Sequence, residues 1–464
     1  MLNLPDEFTH KYRQLLGNTE AEKMFAAMSR QQKRAFRINS LKFLPRISYD
    51  VSHPVPGIPN AYYGQAAGLD PEWVSGSVYS QDPSAMFPAE IVGVQPGERV
   101  LDLCAAPGGK STALGEKLQN SGLLVANEIS HSRAKILREN IERWGITNAL
   151  ITSEKPEDLV KHFPHFFDLI LVDAPCSGEG MFRKNPEAID YWSPDYVLTC
   201  QKRQKEILLQ AVKMLRPGGS LIYSTCTYAP EEDEEIVAWL VKTLGMKVLP
   251  IAEKYAVQAR PGRPEWADNF QEVKKSLRFW PQDNLGEGQF VAKLQLPVAA
   301  QEISSKKVKK RQKEQATKLT KDEQIMLAAV LDQFVLPDSL KNWRQHALVR
   351  AGHVFIPAVT GAQLVGLKIL NNGVELGQLK TKRFVPSHQL AMVLSQEKQE
   401  YKIDLAANTE YRAFLHGETI AVTSHLTGFV LVSYHNFTFS FGKIVNGRTL
   451  KNFYPKGLRT LKRG

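Results

Sequence analysis

The sequence predicts an α/β protein: an open, mostly parallel sheet with helices on both faces, followed by a β-rich tail. Between about 76 and 298, strand-like and helix-like runs alternate, the pattern of a parallel sheet joined by crossover helices. One of these strands runs through a Pro107-Gly108-Gly109 turn directly into a helix. Beyond about 324, long helical periods give way to short β-type runs. Phe437-Thr-Phe-Ser-Phe441 alternates, and turn signals stand at Asn371-Asn-Gly373 and Asn446-Gly447.

Taken in order, residues 1–75 are expected to form a first unit. The stretch 29–43 interleaves Arg30, Lys33, Arg34, Arg37 and Lys42 with Phe36, Ile38, Leu41 and Phe43; Pro45, Pro54 and Pro56 then mark a connection. The second unit, 76–300, holds expected strands at 99–104, 123–127, 149–152, 168–173 and 220–224. Helices are expected at 111–118, 132–144 and 194–215. Gly145 and Pro217-Gly-Gly219 mark helix ends, and Pro230 with Glu231, Glu232 and Asp233 marks a helix start. Segments 277–281 and 289–294 read as an extended pair completing the sheet. In 301–323, Lys306, Lys307, Lys309, Lys310, Arg311 and Lys313 stand together with almost no apolar residue, the composition of a basic linker. The C-terminal region, 324–464, is expected to be a small β-barrel or sandwich.

With 464 residues the chain has room for several cores, and 43% hydrophobic with 23% charged content is ordinary for a soluble protein. No run of apolar residues is long enough to span a bilayer, and the first residues lack the pattern of a signal peptide. Four cysteines make no disulfide framework and none has a CxxC metal spacing, so free thiols in a reducing cytoplasm and no metal are expected. An excess of 59 Lys and Arg over 48 Asp and Glu gives a net charge of +11, which suits a polyanionic partner.

The turn from Cys104 through Ala105, Ala106, Pro107, Gly108 and Gly109 to Lys110 lets backbone approach a ligand at a helix N-terminus. It is neither GxGxxG nor a P-loop, which disfavours dinucleotides and nucleoside triphosphates. Glu128 ends the next strand, where an acid can accept both hydroxyls of a ribose. A nucleoside cofactor without pyrophosphate fits S-adenosyl-L-methionine.

Cys176, in Asp173-Ala-Pro-Cys-Ser-Gly178, and Cys226, in Thr225-Cys-Thr-Tyr228, both fall where expected strands stop at the ligand-binding edge of the sheet. C5 of a cytosine is not nucleophilic. A thiolate adding to C6 makes it enamine-like and able to attack a methyl sulfonium. An acid must support the charge developing at N3, and Asp173 is the candidate. A second ionisable group has a role in the later loss of the C5 proton. The residues alone do not rank the two thiols. Cys104 is expected to lend only its backbone, and Cys200 to be buried in a helix.

Asp173-Ala-Pro-Cys-Ser-Gly178, Thr225-Cys-Thr-Tyr228 and Ala105-Ala-Pro-Gly-Gly-Lys110 resemble the Sun/NSUN family of RNA cytosine-C5 methyltransferases. Arg37-Ile-Asn-Ser-Leu-Lys42 and Gln81-Asp-Pro-Ser84 resemble further family segments. Leu4-Pro-Asp-Glu-Phe8 and the segment 450–459 resemble its bacterial RsmF/YebU branch, which modifies 16S ribosomal RNA and carries a PUA-like tail. The resemblance implies a Rossmann-like methyltransferase core, an N-terminal RNA-binding domain and a PUA-like RNA-binding domain. It implies Cys226 as nucleophile, Cys176 as the residue assisting release, and Asp173 and Lys110 as catalytic companions. The cofactor would contact residues 104–110, Glu128 and Asp173, with Ser153 or Glu154 at the end of the third strand.

The expected activity is therefore S-adenosylmethionine-dependent methylation of cytosine C5 in RNA, with 16S ribosomal RNA or the small subunit as partner and the protein a monomer. A tRNA cytosine-C5 methyltransferase and a non-catalytic ribosome-assembly protein are the alternatives. Methylation of an exocyclic amine is disfavoured, because it uses an Asn/Asp-Pro-Pro-aromatic turn where this chain has Asp173-Ala-Pro-Cys176.

Overall fold

A ten-stranded sheet forms the centre of the computed structural model, which describes residues 2–256, 258–298 and 316–460. Its parallel core runs Leu215–Thr225, Phe167–Asp173, Arg99–Asp102, Leu123–Asn127 and Ala149–Thr152. These strands are buried on both faces, as helices on both sides of a parallel sheet require. Helices Gly109–Lys117, His131–Trp144 and Pro194–Met214 lie close to their expected positions. Gly145, at φ 85°, ends the second of them in the left-handed region. Ser193 caps the third, its side chain accepting from Tyr196 N at 3.1 Å.

The expected pair 277–281 and 289–294 is antiparallel: Leu277–Phe279 against Gln289–Gln295, the latter lying antiparallel on Leu215–Thr225. Pro217-Gly-Gly219 is not a simple helix stop. Helix Pro194–Met214 ends before it, and the three residues form an irregularity inside the following strand, where the register against Phe167–Asp173 jumps between Phe167 and Leu169.

The first unit opens with helices Asp6–Leu16 and Asn18–Met28, then a three-stranded antiparallel sheet. Its central strand Ala35–Ile38 pairs with Ala61–Tyr63 and with Val78–Gln81, which lies just past the expected boundary at 75.

The C-terminal region departs from a single barrel or sandwich. Its first sheet has the order Thr317–Lys318, Leu348–Arg350, His353–Ile356, Val374–Lys380, Arg383–Pro386; its second runs Lys402–Leu405, Gly428–Tyr434, Phe437–Val445, Thr449–Asn452, Ile420–Ala421. A further strand, Ile369–Asn372, leaves the region altogether and pairs antiparallel with Ala149–Thr152 at the edge of the central sheet. The six linker cations from Lys306 to Lys313 fall outside the described residues. The part of the expected linker that is described is ordered: strand Thr317–Lys318 leads into helix Lys321–Leu331, whose N-terminus carries a reciprocal Thr320–Glu323 capping box.

Candidate active site

Strand Arg99–Asp102 delivers the chain into the loop 103–108 at the carboxyl edge of the sheet, where ligands of open α/β sheets bind. Gly108 precedes helix Gly109–Lys117 with φ 118°, a conformation that favours glycine, and a Cβ there would also crowd Leu137 Cδ1 at 3.2 Å and Asn140 Cβ at 3.3 Å. The loop is pinned from several elements. Ala105 N donates to Asn127 O at 2.9 Å, Arg133 Nη2 to Ala106 O at 2.9 Å, and Asn140 Nδ2 to Pro107 O at 2.8 Å.

Glu128, buried at the end of Leu123–Asn127, accepts from Ser130 N at 2.9 Å and faces Arg133 Nη1 at 3.5 Å. It lines an open cleft of about 1780 Å³ together with Leu103, Ala106, Ile129 and Pro156. Ile129 is 61% exposed at its rim. An acid for ribose hydroxyls beside an apolar wall for a purine fits the adenosine of S-adenosylmethionine. Ser153 and Glu154 do not line this cleft. Both are buried under the C-terminal region: Ser153 N donates to Lys368 O at 3.0 Å, and the Glu154 carboxylate accepts from Lys368 N at 2.7 Å. At the end of the third strand the cleft is lined instead by Lys155, Pro156 and Glu157.

The two thiols meet. Cys176 Sγ lies 3.5 Å from Cys226 Sγ where the large cleft adjoins a smaller pocket of about 800 Å³. That pocket is lined by Tyr79, Gln81, Asp82, Lys110, Asp173 and Cys226, among others, so the expected Gln81-Asp82 segment forms its wall. Hydrogen bonding to Cys226 and then burial hold the Cys176 pKa well above the usual thiol range. Cys176 thus keeps its proton near neutrality and can donate it to the Cys226 sulfur. Asp173 accepts three hydrogen bonds: from Lys110 Nζ at 2.7 Å, Ser224 Oγ at 2.7 Å and Gln289 Nε2 at 3.1 Å. Burial pulls the Lys110 pKa down, but Asp173 and then Cys226 outweigh it and leave it raised.

Both cysteine loops are braced by carboxylates that the sequence reading did not place at the site. Glu179, fully buried, accepts from Trp192 Nε1 at 2.9 Å, Thr227 Oγ1 at 2.9 Å, Tyr228 N at 2.9 Å and the hydroxyl of Tyr12. Gly180 N donates to Cys226 O at 2.8 Å, an approach that a Cβ would block at 2.5 Å from that oxygen. Glu232 accepts from Ser177 N at 3.0 Å, and burial lifts its pKa to about 7. Asp102 was also missed: fully buried, it accepts from Ser111 Oγ at 2.6 Å, and burial lifts its pKa to about 7. An acid one to four residues from a motif is a visible signal, but nothing in the spacing says which way it turns. Cys104 faces the clefts only in part, and burial raises its pKa; Cys200 is buried in its helix, where the same cause lifts it to about 11. Among the described residues no group of His, Cys, Asp and Glu is placed to hold a metal, and no helix is long and apolar enough to cross a membrane.

The Arg37-Ile-Asn-Ser-Leu-Lys42 segment of the first unit turns three polar side chains inward. Arg37, Asn39 and Lys42 are all buried. Asn39 Nδ2 donates to Gly76 O and Trp144 O, both at 2.8 Å, and Lys42 Nζ reaches Met392 O and Ser395 Oγ in the C-terminal region. These side chains join units and are not free to meet phosphates.

A doubly wound sheet with a nucleoside cleft at the end of its glycine loop defines a Rossmann-like, S-adenosylmethionine-dependent methyltransferase. Its resemblances extend over nearly the whole chain. The family model described as 16S rRNA methyltransferase RsmB/F matches residues 89–295, and that for the N-terminal domain of 16S rRNA methyltransferase RsmF matches 4–83. The RsmF first C-terminal domain matches 333–394 and the RsmF PUA domain 403–460. The chain belongs to the 16S rRNA methyltransferase RsmB/F family. Ribosomal RNA small subunit methyltransferase F of Salmonella paratyphi A is 29% identical over 480 residues, covering 98% of this chain and 96% of that protein; the Citrobacter koseri protein of the same name gives the same figures. A methyltransferase homolog from Pyrococcus horikoshii, known by crystal structure, is 28% identical with a TM-score of 0.55, covering 64% of this chain and 96% of its own. The NSun6 structure from Pyrococcus horikoshii with SFG, 21% identical at a TM-score of 0.52, covers 64% of this chain and 99% of its own and supports the fold.

Proposed function

We propose that this protein methylates C5 of a cytosine in 16S ribosomal RNA, working in the cytoplasm as a monomer, with Cys226 as nucleophile. The Cys226 sulfur adds to C6 as its thiol proton passes through solvent to N3, and Asp173, ion-paired with Lys110, accepts a hydrogen bond from the N3–H. C5 then takes the methyl group from the sulfonium, releasing S-adenosylhomocysteine. Loss of the C5 proton and cleavage of the Sγ–C6 bond regenerate the ring and the free thiol. Cys176, 3.5 Å from the Cys226 sulfur, is the group placed to assist this release: it gives its proton to the departing sulfur as the C5 proton passes to solvent, from which Cys176 is reprotonated. The observation that carries this reading is the 3.5 Å separation of the two thiols beside Asp173 and Lys110, at the junction of the cofactor cleft and the smaller pocket. Methylation of 16S RNA carrying tritium at cytosine C5 tests it. One tritium is expected in solvent per methyl group transferred; methyl transfer without tritium release would place the reaction at another atom.

A further inference from the structure

The first C-terminal sheet ends in two hairpin turns that lie side by side. One joins Leu348–Arg350 to His353–Ile356, the other joins Val374–Lys380 to Arg383–Pro386, and Leu379 N donates to Gly352 O at 2.8 Å between them. The register fixes which side chains share a face. Arg350 is opposite His353, His353 opposite Gln378, and Lys380 opposite Arg383. Residues directly opposite point the same way, and so do residues two apart on a strand, so Arg350, His353, Lys380 and Arg383 stand on one face. Lys382 adds a fifth basic side chain at the turn itself.

This arrangement opposes the ordinary rule for exposed sheets, where residues directly across from one another carry opposite charges and like pairs destabilise. Arg350, Lys380, Lys382 and Arg383 are all exposed, and among the described residues none of the four has a carboxylate at ion-pairing distance. The acid on this face, Glu375, is engaged by His353 at 2.6 Å. Arg350 is steadied over the Phe355 ring, 5.8 Å from its centroid.

We propose that this end of the first C-terminal sheet is a phosphate-binding surface for RNA, distinct from the cleft and from the PUA sheet. A row of cations on a fixed hairpin frame is a register device for a sugar-phosphate backbone, holding the strand while carrying no sequence information. The inference rests on the proposed RNA substrate and adds to it a contact remote from the thiols.

The test is the salt dependence of affinity for 16S RNA, measured on the full chain and on a Lys380→Ala/Lys382→Ala/Arg383→Ala variant. All three residues are exposed at a turn, so the fold is expected to survive, and equal S-adenosylmethionine affinity in the two proteins checks that. Losing three phosphate contacts should lower the slope of log affinity against log salt by about 2 and weaken binding about tenfold or more at low salt. An unchanged slope, with the unsubstituted protein binding normally, would overturn the surface alone. So would a variant that binds free RNA normally but assembled subunits poorly, since the partner would then be an acidic protein face. Failure of the unsubstituted protein to bind RNA would strike the proposed substrate instead, and the surface with it.

Discussion

Arg37 donates from Nη2 to the carbonyl of Gly109 at 2.9 Å, so a side chain of the N-terminal sheet closes the first turn of the cofactor-loop helix. The same guanidinium reaches Thr112 Oγ1 at 2.7 Å and Gln81 Oε1 at 3.1 Å, and stacks 5.1 Å from the Trp144 centroid. A lysine has no fork to serve these acceptors together. Arg37→Lys should therefore weaken S-adenosylmethionine binding by ~1–3 kcal/mol, the cost of leaving buried polar groups unmet. Calorimetric titration measures it, and an unchanged dissociation constant would show that the loop holds its shape without Arg37.

The thiols should separate cleanly by substitution. Cys226→Ala is expected to abolish methyl transfer while S-adenosylmethionine affinity stays within a few fold, because this thiol meets only the base. Cys176→Ala should still form the Cys226–cytosine bond but release it poorly, leaving a protein–RNA adduct that survives denaturing electrophoresis. Complete inactivity of Cys176→Ala without adduct would make Cys176 the attacking residue or a structural one.

Glu128 and Asp173 should divide binding from chemistry. Glu128→Ala removes an acceptor from the cofactor cleft and should cost ~1.5–3 kcal/mol of S-adenosylmethionine affinity. Asp173→Ala leaves Lys110 without its counter-ion in the smaller pocket, so its main effect should fall on the single-turnover rate of methyl transfer. Equal losses of cofactor affinity in both variants, with unchanged chemistry, would refute the division.

The parallel core was readable in the sequence because its strands are apolar runs set off by punctuation: Pro107-Gly108 and the residues after Asp173 follow strands, and Gly145 ends the helix before the next one. The thiols were readable because each follows a strand, and the strand ends converge on one edge. What stayed hidden was long-range. Arg37 and Lys42 look like solvated cations in a basic stretch, and only the fold reveals acceptors at Gly109 and Met392 that let them be buried. Ile369–Asn372 has strand character, but period-2 patterning says nothing about which sheet accepts it. Glu154 looked free to meet a ligand for the same reason: its partner, Lys368, lies more than two hundred residues away.

One titrating group reports on the junction of the units. His388 packs edge-on against Tyr454, 5.7 Å between centroids, and burial, then the charge of Lys42, lowers its pKa to about 4. Its folded pKa lies below the unfolded value near 6.5, so between those limits the unfolded chain binds more protons. The stability it contributes is present above about pH 6.5 and is lost as pH falls toward 4. Asp102 and Glu232, raised to about 7, act in the opposite sense, losing stability as pH rises from their unfolded values, so the comparison must be internal. The stability of wild type relative to His388→Gln should fall by up to about 3 kcal/mol between pH 7 and pH 4, read by urea denaturation. A pH-independent difference would mean His388 titrates normally.

The C-terminal region, which reads in sequence as a tail beyond a linker, should prove hard to remove. Ile369–Asn372 covers the edge of Ala149–Thr152, and Gly373 N continues the ladder with a 2.8 Å bond to Ala149 O. Leu367 belongs to a core cluster of the methyltransferase sheet, and Val74 of the first unit belongs to the core of the last sheet. A chain ending at residue 298 would expose that strand edge, with its unpaired backbone groups, together with Trp73 and Val74. An open, apolar sheet edge recruits other chains. The truncated protein is therefore expected to melt several degrees below the full chain and to associate in solution, losing cofactor affinity as well as RNA affinity. Thermal melts and light scattering decide it. A monodisperse truncated protein with an unchanged melting temperature would show that Ile369–Asn372 merely rests on the central sheet.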